Sequence, residues 1–183
     1  MTNTPLSQSL DIYVQLGTRP YTEVVSQLEH ALQCAWLAER ESGDRELIAA
    51  AFLHDIGHLM HKFGQEAADR GIDDKHEAIA RGWVARHFTA RVAQAVGLHV
   101  EAKRYLCAAR PGYFETLSPA SVKSLELQGG PMNADEVSAF EALPDYADAV
   151  RVREWDDRAK TAGLETPGID HFRPYLESAL AAA

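Results

Sequence analysis

Cysteine is scarce in this chain: Cys34 and Cys107 are the two in 183 residues. That excludes a disulfide framework, and neither has the paired spacing of a zinc site, so reduced, buried thiols are expected. Basic residues are also few. Eighteen Lys and Arg stand against 27 Asp and Glu, a formal net charge of −9. A nucleic-acid partner is disfavoured, because neutralising phosphates needs a basic face. No apolar run approaches the length of a membrane span. The start, Met-Thr-Asn-Thr-Pro, lacks the basic segment and apolar core of a signal peptide. The expectation is a cytoplasmic protein with no membrane partner. Long alternations of Val, Ile and Thr are missing, which argues against strands. What is left, 46% hydrophobic and 25% charged, reads as an all-α, single-domain helical bundle over residues 1–183.

The punctuation divides the chain into helices. A short amphipathic stretch at 6–16 ends near Gly17, and Thr18-Arg-Pro20 is a break. Tyr21 to about Ser42 reads as one long helix. Gly43-Asp44 ends it and caps the next, about 45–61. A loop follows at 62–74, where Asp74 is placed to cap a helix of about 75–88. Thr89 opens a helix to about 108, and Pro111-Gly112 breaks the chain. Ser118-Pro119 starts another to about 127, since Pro suits the first helical position. Gln128-Gly-Gly-Pro131 is a tight turn. Asn133 caps a helix to about 142, Pro144 opens one to about 161, and a last helix follows Thr166-Pro-Gly168. No repeat or low-complexity linker interrupts this order.

Among these helices one dipeptide stands out, His54-Asp55 inside Ala49-Ala-Ala-Phe-Leu-His-Asp-Ile-Gly-His58. Two ionisable groups on an Ala-rich, buried helix cost free energy unless something pairs them. A metal ion takes neutral imidazole and carboxylate together. Further donors lie at His30, His76 and His99, each within a different expected helix and flanked by apolar residues, and at Asp156. Any one of these alone reads as a satisfied core or surface group. Jointly, six candidate metal ligands (His30, His54, Asp55, His76, His99 and Asp156) exceed what one ion takes from protein. Two ions bridged by Asp55 in the bundle core would use them all.

Residues three or four apart share a helix face. Lys103 is four after His99, Arg153 is three before Asp156, and His58 is four after His54. Ser121, Ser124 and Gln128 share a face of another helix, whose Gly-Gly turn is expected to offer free backbone N–H groups. Lysine, arginine, hydroxyls and an amide together suit a tetrahedral oxyanion. The expected site is therefore a metal pair beside an anion cradle.

The residues His30…His54-Asp55…His76…His99…Asp156 resemble the HD-domain superfamily. More narrowly, they resemble its mixed-valence di-iron oxygenases, the PhnZ/TmpB-like branch related to myo-inositol oxygenase. The segments Gln27-Leu-Glu-His30, Leu53-His-Asp-Ile-Gly-His58, His99-Val-Glu-Ala-Lys-Arg-Tyr-Leu106, Leu125-Glu-Leu-Gln-Gly-Gly-Pro-Met132 and Arg153-Glu-Trp-Asp156 carry the resemblance, which runs from about Tyr21 to the last helix. It implies an HD-type helical bundle, two iron ions as a Fe(II)/Fe(III) pair, and O2 as co-substrate. The activity it implies is oxidative cleavage of the C–P bond of a 1-hydroxyphosphonate, giving a carboxylic acid (glycine or glycine betaine for a 2-amino or 2-trimethylammonio tail) and phosphate. His58, Lys103, Ser121, Gln128 and Arg153 would hold the phosphonate. A place after a 2-oxoglutarate-dependent hydroxylase is also implied. The relatives carry a tyrosine and a glutamate before the first ligand, at the open iron position; Tyr21 and Glu23 are the candidates here, with one residue between them instead of two. An ammonium tail would want a carboxylate such as Glu23. A trimethylammonium tail would want aromatic faces, for which Tyr21, Tyr105 and Tyr113 are candidates.

Two rivals use part of the same pattern. A metal-dependent HD phosphohydrolase acting on a nucleotide or small phosphate ester shares the dipeptide and the cradle, and would need no O2. A non-catalytic module that binds a phosphorylated signal would not need all six ligands. The number of histidines favours the two-metal oxygenase.

Overall fold

In the computed structural model, which describes residues 4–22, 24–60 and 70–182, helices carry the architecture. Among the described residues there are eleven α-helices and no strand, with two isolated bridges, Pro20 to Ser26 and Phe88 to Leu180. The helices are α1 (Pro5–Leu16), α2 (Gln27–Ser42), α3 (Arg45–Leu53), α4 (Ile56–Met60), α5 (His76–Val84), α6 (Ala90–Gly97), α7 (His99–Ala109), α8 (Pro119–Leu127), α9 (Ala134–Glu141), α10 (Tyr146–Arg158) and α11 (Ile169–Ser178). None of the described helices is long and apolar enough to cross a membrane.

Local chemistry explains most of the starts. Thr4 with Ser7, Ser26 with Glu29, and Asn133 with Glu136 form reciprocal capping boxes that satisfy the first N–H groups of α1, α2 and α9. Asp44 caps α3, Thr89 caps α6, and Ser118 with Pro119 opens α8. Tertiary packing does the rest. Leu47 to Leu53 are all fully buried, so α3 is apolar on every side and must be surrounded. It is the central rod, against which α2, α6, α10 and α11 pack. A smaller cluster of Ala102, Met132, Phe140 and Ala149 joins α7, α9 and α10. Both cysteines are free, as expected; Cys34 is buried, but Cys107 is only half-buried.

Three long helices expected from the pattern are shorter or split. The helix expected from Tyr21 begins at Gln27. Residues before it form a tight loop in which Tyr21 and Thr22 both donate their N–H to the Val25 carbonyl, and the Thr22 hydroxyl accepts from Val24 and Val25. The stretch 45–61 breaks at His54-Asp55 into α3 and α4, and 89–108 breaks at Leu98 (φ −101°, ψ 2°) into α6 and α7. Gly97 precedes the second break; no Gly or Pro lies at the His54-Asp55 break itself. Of the connecting loop expected at 62–74, residues up to 69 lie outside the described residues.

The Gly-Gly turn also differs from expectation. Gly130 donates to the Leu125 carbonyl and Gly129 to that of Glu126, with φ of 73° and 100°. This is a Schellman closure of α8, so those N–H groups are used rather than free. Arg104 of α7 holds the turn through the Gly130 carbonyl at 2.9 Å.

Candidate metal centre

The breaks bring the six candidate ligands together. His30 comes from the first turn of α2, and His54 and Asp55 from the α3–α4 joint. His76 and His99 are the first residues of α5 and α7, and Asp156 lies in α10. All six are buried.

Each ring is held by its far nitrogen. His30 Nδ1 donates to the Ala159 carbonyl at 2.9 Å, His54 Nδ1 to Ala51 at 2.8 Å and His99 Nδ1 to Val96 at 2.7 Å. His76 Nδ1 lies 2.8 Å from Asp74 Oδ1. A carbonyl only accepts, so the neutral rings carry their proton on Nδ1 and a lone pair on Nε2. Those lone pairs face each other in two pairs, His30 with His54 and His76 with His99, each 3.2 Å apart. Asp55 stands between the pairs. Its Oδ2 is 3.4 and 3.2 Å from the first, and its Oδ1 is 3.5 and 3.4 Å from the second. Asp156 Oδ1 is 3.4 Å from His30 Nε2.

Lone pairs this close, with carboxylate oxygens among them, repel unless a cation sits between them. Donors about 2.1 Å from one ion stand about 3.0 Å apart at right angles and about 3.4 Å apart at tetrahedral angles. The observed spacings fit one ion per imidazole pair. The electrostatics agree. Burial opposes a charge on Asp55, but His54, His30 and His99 around it hold its carboxyl well below the usual range. Asp156 is likewise held low against burial, by Arg153 and Lys160. Burial opposes a proton on His54, yet Asp55 and Asp156 outweigh it and raise its pKa. Burial, with His58 beside it, pushes His76 down to about 3.

A cavity of about 400 Å³ opens onto this centre. His58, Lys103, Ser121, Ser124, Gln128 and Arg153 all line it. Lys103 Nζ donates to Ser124 Oγ at 2.8 Å. Gln128 has a buried amide oxygen with no hydrogen-bond partner, and turning that amide over would present its NH2 to an anion. Arg153 is clamped: it donates to Asp156 Oδ2 at 2.7 Å, to Asp157, and to the Tyr113 hydroxyl at 3.1 Å. Tyr21 stacks on His30 at 3.7 Å and donates to Asp156 Oδ1 at 3.0 Å. Glu23 lies outside the described residues.

Of the three candidate aromatic faces, Tyr21 lines the cavity and the other two do not. Tyr105 bonds Glu141 and packs in the smaller cluster, and Tyr113 sits behind Arg153, so neither lines the cavity. Three participants escaped the sequence pattern. Asp74 was legible only as a cap, although Asp-x-His spacing could have flagged it. Lys160 lines the cavity 3.5 Å from Asp156 Oδ1. Asp157 clamps Arg153 by its i,i+4 spacing.

The profile of the HD-domain family matches residues 27–149. The chain is 42% identical to a [1-hydroxy-2-(trimethylamino)ethyl]phosphonate dioxygenase (glycine-betaine-forming) of Leisingera caerulea, covering 91% of this chain and 85% of that one. It is 44% identical to a hydroxymethylphosphonate dioxygenase of Gimesia maris, covering 90% and 82%. It is 36% identical to an uncharacterized protein of Acanthamoeba polyphaga mimivirus, covering 90% and 76%.

Proposed function

The chain belongs to the HD-domain family, and from that premise we propose that it is an O2-dependent di-iron oxygenase cleaving the C–P bond of a 1-hydroxyphosphonate. The observation that carries this reading is the division of Asp55 between two imidazole pairs beside a cavity that holds Lys103 and Arg153. A one-metal hydrolase has no use for the second pair, His76 and His99. The names of the two dioxygenase relatives support the same chemistry.

In this reading His30, His54 and Asp156 would hold one iron and His76 and His99 the other, with Asp55, whose two oxygens face the two pairs, shared between them. The iron pair, Fe(II)/Fe(III), supplies the redox capacity to use O2. The chain's own residues bind and orient. Lys103, Ser121, Ser124 and Gln128 grip the phosphonate, with Arg153 and His58 completing the cradle. That grip turns C1 and its hydroxyl toward the metal side of the cavity. Tyr21 covers His30 and shields that side from water. One O2 is consumed for each phosphate released, and the carbon leaves as a carboxylic acid. The C1 hydroxyl must be installed beforehand, the step expected of a 2-oxoglutarate-dependent hydroxylase.

The test is an aerobic assay of iron-loaded protein with hydroxymethylphosphonate, 2-amino-1-hydroxyethylphosphonate, 1-hydroxy-2-(trimethylammonio)ethylphosphonate and a phosphate monoester. Equal amounts of O2 taken up and phosphate released with at least one hydroxyphosphonate are expected. Phosphate released from the monoester alone, with no O2 uptake, refutes the oxygenase reading in favour of hydrolysis.

A further inference from the structure

Asp74, in the connection before α5, stands between the two halves of the site. Its Oδ2 lies 3.0 Å from His58 Nδ1, and its Oδ1 lies 2.8 Å from His76 Nδ1 and 3.2 Å from the His76 backbone N–H. The two rings stack at 3.8 Å, 18° from parallel. One carboxylate therefore fixes a ring whose Nε2 faces His99 and Asp55, and a second ring that lines the cavity.

The local backbone is bent to allow this. Lys75, between Asp74 and His76, adopts φ 49°, the one positive φ outside glycine among the described residues, a conformation that costs a side-chain-bearing residue about 1 kcal/mol or more. Gly57, one residue before His58, lets α4 approach α5 so closely that a Cβ there would lie 2.0 Å from the His76 carbonyl oxygen.

We propose that Asp74 is a positioning residue that couples a metal-binding imidazole, His76, to a phosphonate-binding imidazole, His58. The proposal rests on the oxygenase reading for the two roles it joins. A carboxylate behind a ligating histidine fixes the ring's direction, and losing one costs about 10–100-fold in metal affinity or activity. Here the same carboxylate reaches the substrate side, so one substitution should damage both.

The experiment compares wild type, Asp74→Asn, Asp74→Glu, His58→Gln and the Asp74→Asn/His58→Gln double variant. Iron per chain, the EPR signal of the mixed-valence pair, and the Kd of methylphosphonate by calorimetry are measured, with melting temperature as a fold control. In Asp74→Asn the second iron should bind at least about tenfold more weakly and the EPR signal change, while the methylphosphonate Kd rises about tenfold. Asp74→Glu should recover part of both. In the His58→Gln background, Asp74→Asn should still weaken iron but no longer change the Kd, the signature of action through His58. A purely structural Asp74 would lower the melting temperature and leave iron stoichiometry, EPR and Kd as in wild type, which overturns the proposal. Wild-type protein that binds two irons but no methylphosphonate refutes the phosphonate reading, and the coupling with it. Failure of the variants alone refutes only the coupling.

Discussion

Lys103 should be a residue that function keeps at the expense of stability. Its side chain is 3% exposed and its ammonium has one hydrogen-bond partner, Ser124. Burial first, and the nearby Arg153 charge second, lower its pKa from 10.5 to about 7, against the pull of Asp156 and Asp157. An unfolded chain would take up this proton near pH 10.5, the folded protein only near 7. Between those values the unfolded state holds more protons, so wild-type stability falls as pH drops from about 10.5 to about 7 and is flat below. A fall of that size is worth roughly 4 kcal/mol at pH 7. Lys103→Met removes the penalty and keeps the volume. After the lost Ser124 hydrogen bond and relaxation, about 2 kcal/mol should remain, a rise in Tm of roughly 4–8 °C for a chain of this size. Melts of both proteins from pH 6 to 10 should show the gap widest at and below pH 7 and closing as pH rises. The same variant should bind methylphosphonate at least about tenfold more weakly, because the charge-assisted contact is gone. Wild type at pH 8 should take up close to one proton on binding, read from calorimetry in two buffers. Equal melting temperatures at pH 7, a gap that widens with pH, or an unchanged Kd would refute this account of Lys103.

Other perturbations probe the rest of the site. Asp55→Ala should lose at least one iron per chain by elemental analysis; wild-type iron content would remove Asp55 from the bridge. Gly57→Ala places a Cβ 2.0 Å from the backbone oxygen of His76, and should cost about 3 kcal/mol in denaturant unfolding; a cost under about 1 kcal/mol would mean that the α4–α5 junction yields easily. Ser26→Ala breaks the capping box of α2 and should cost about 1 kcal/mol. It should also speed amide exchange at Tyr21 and Thr22, whose N–H groups close the loop before it; unchanged exchange there would mean that the loop holds itself.

The helical class was readable because its signals are local: caps such as Ser26, Asp44 and Asn133 sit where the helices begin. The candidate ligands were readable as a group because histidines at 30, 54, 76 and 99 are costly to bury together without a shared partner. Tertiary details were not. Tyr21 fits a helix by pattern, but the Val25 carbonyl and the Thr22 hydroxyl, which take the N–H groups of Tyr21, Thr22, Val24 and Val25, offer it a loop instead. Tyr113 and Tyr105 looked like equivalent aromatic candidates, yet the first is turned away by Arg153 and Asp157 and the second by Glu141. Nothing within a few residues of either encodes that choice.

The two broken helices share one feature, a candidate ligating histidine at the break. Such a ring must present a bare Nε2 and have its Nδ1–H held. Inside a helix the carbonyls within reach are committed to N–H groups four residues on, so a ring that claims one competes with the helix. At His54 and His99 the ring takes the carbonyl three residues back, Ala51 and Val96, and the helix breaks at that place in both cases. Where the helix is continuous, as at His30, the acceptor is brought from elsewhere, the Ala159 carbonyl just beyond α10. Asp156 has no ring N–H to satisfy, and α10 runs through it unbroken. His54 carries no breaking tendency of its own, whereas Gly97 before Leu98 adds a local one, so the ring's claim on a carbonyl accounts for the first break and shares the second with a glycine. On this argument His99→Leu should restore a continuous helix from Ala90 to Ala109, seen as amide protection across Leu98; protection unchanged from wild type would place the cause of the break in packing instead.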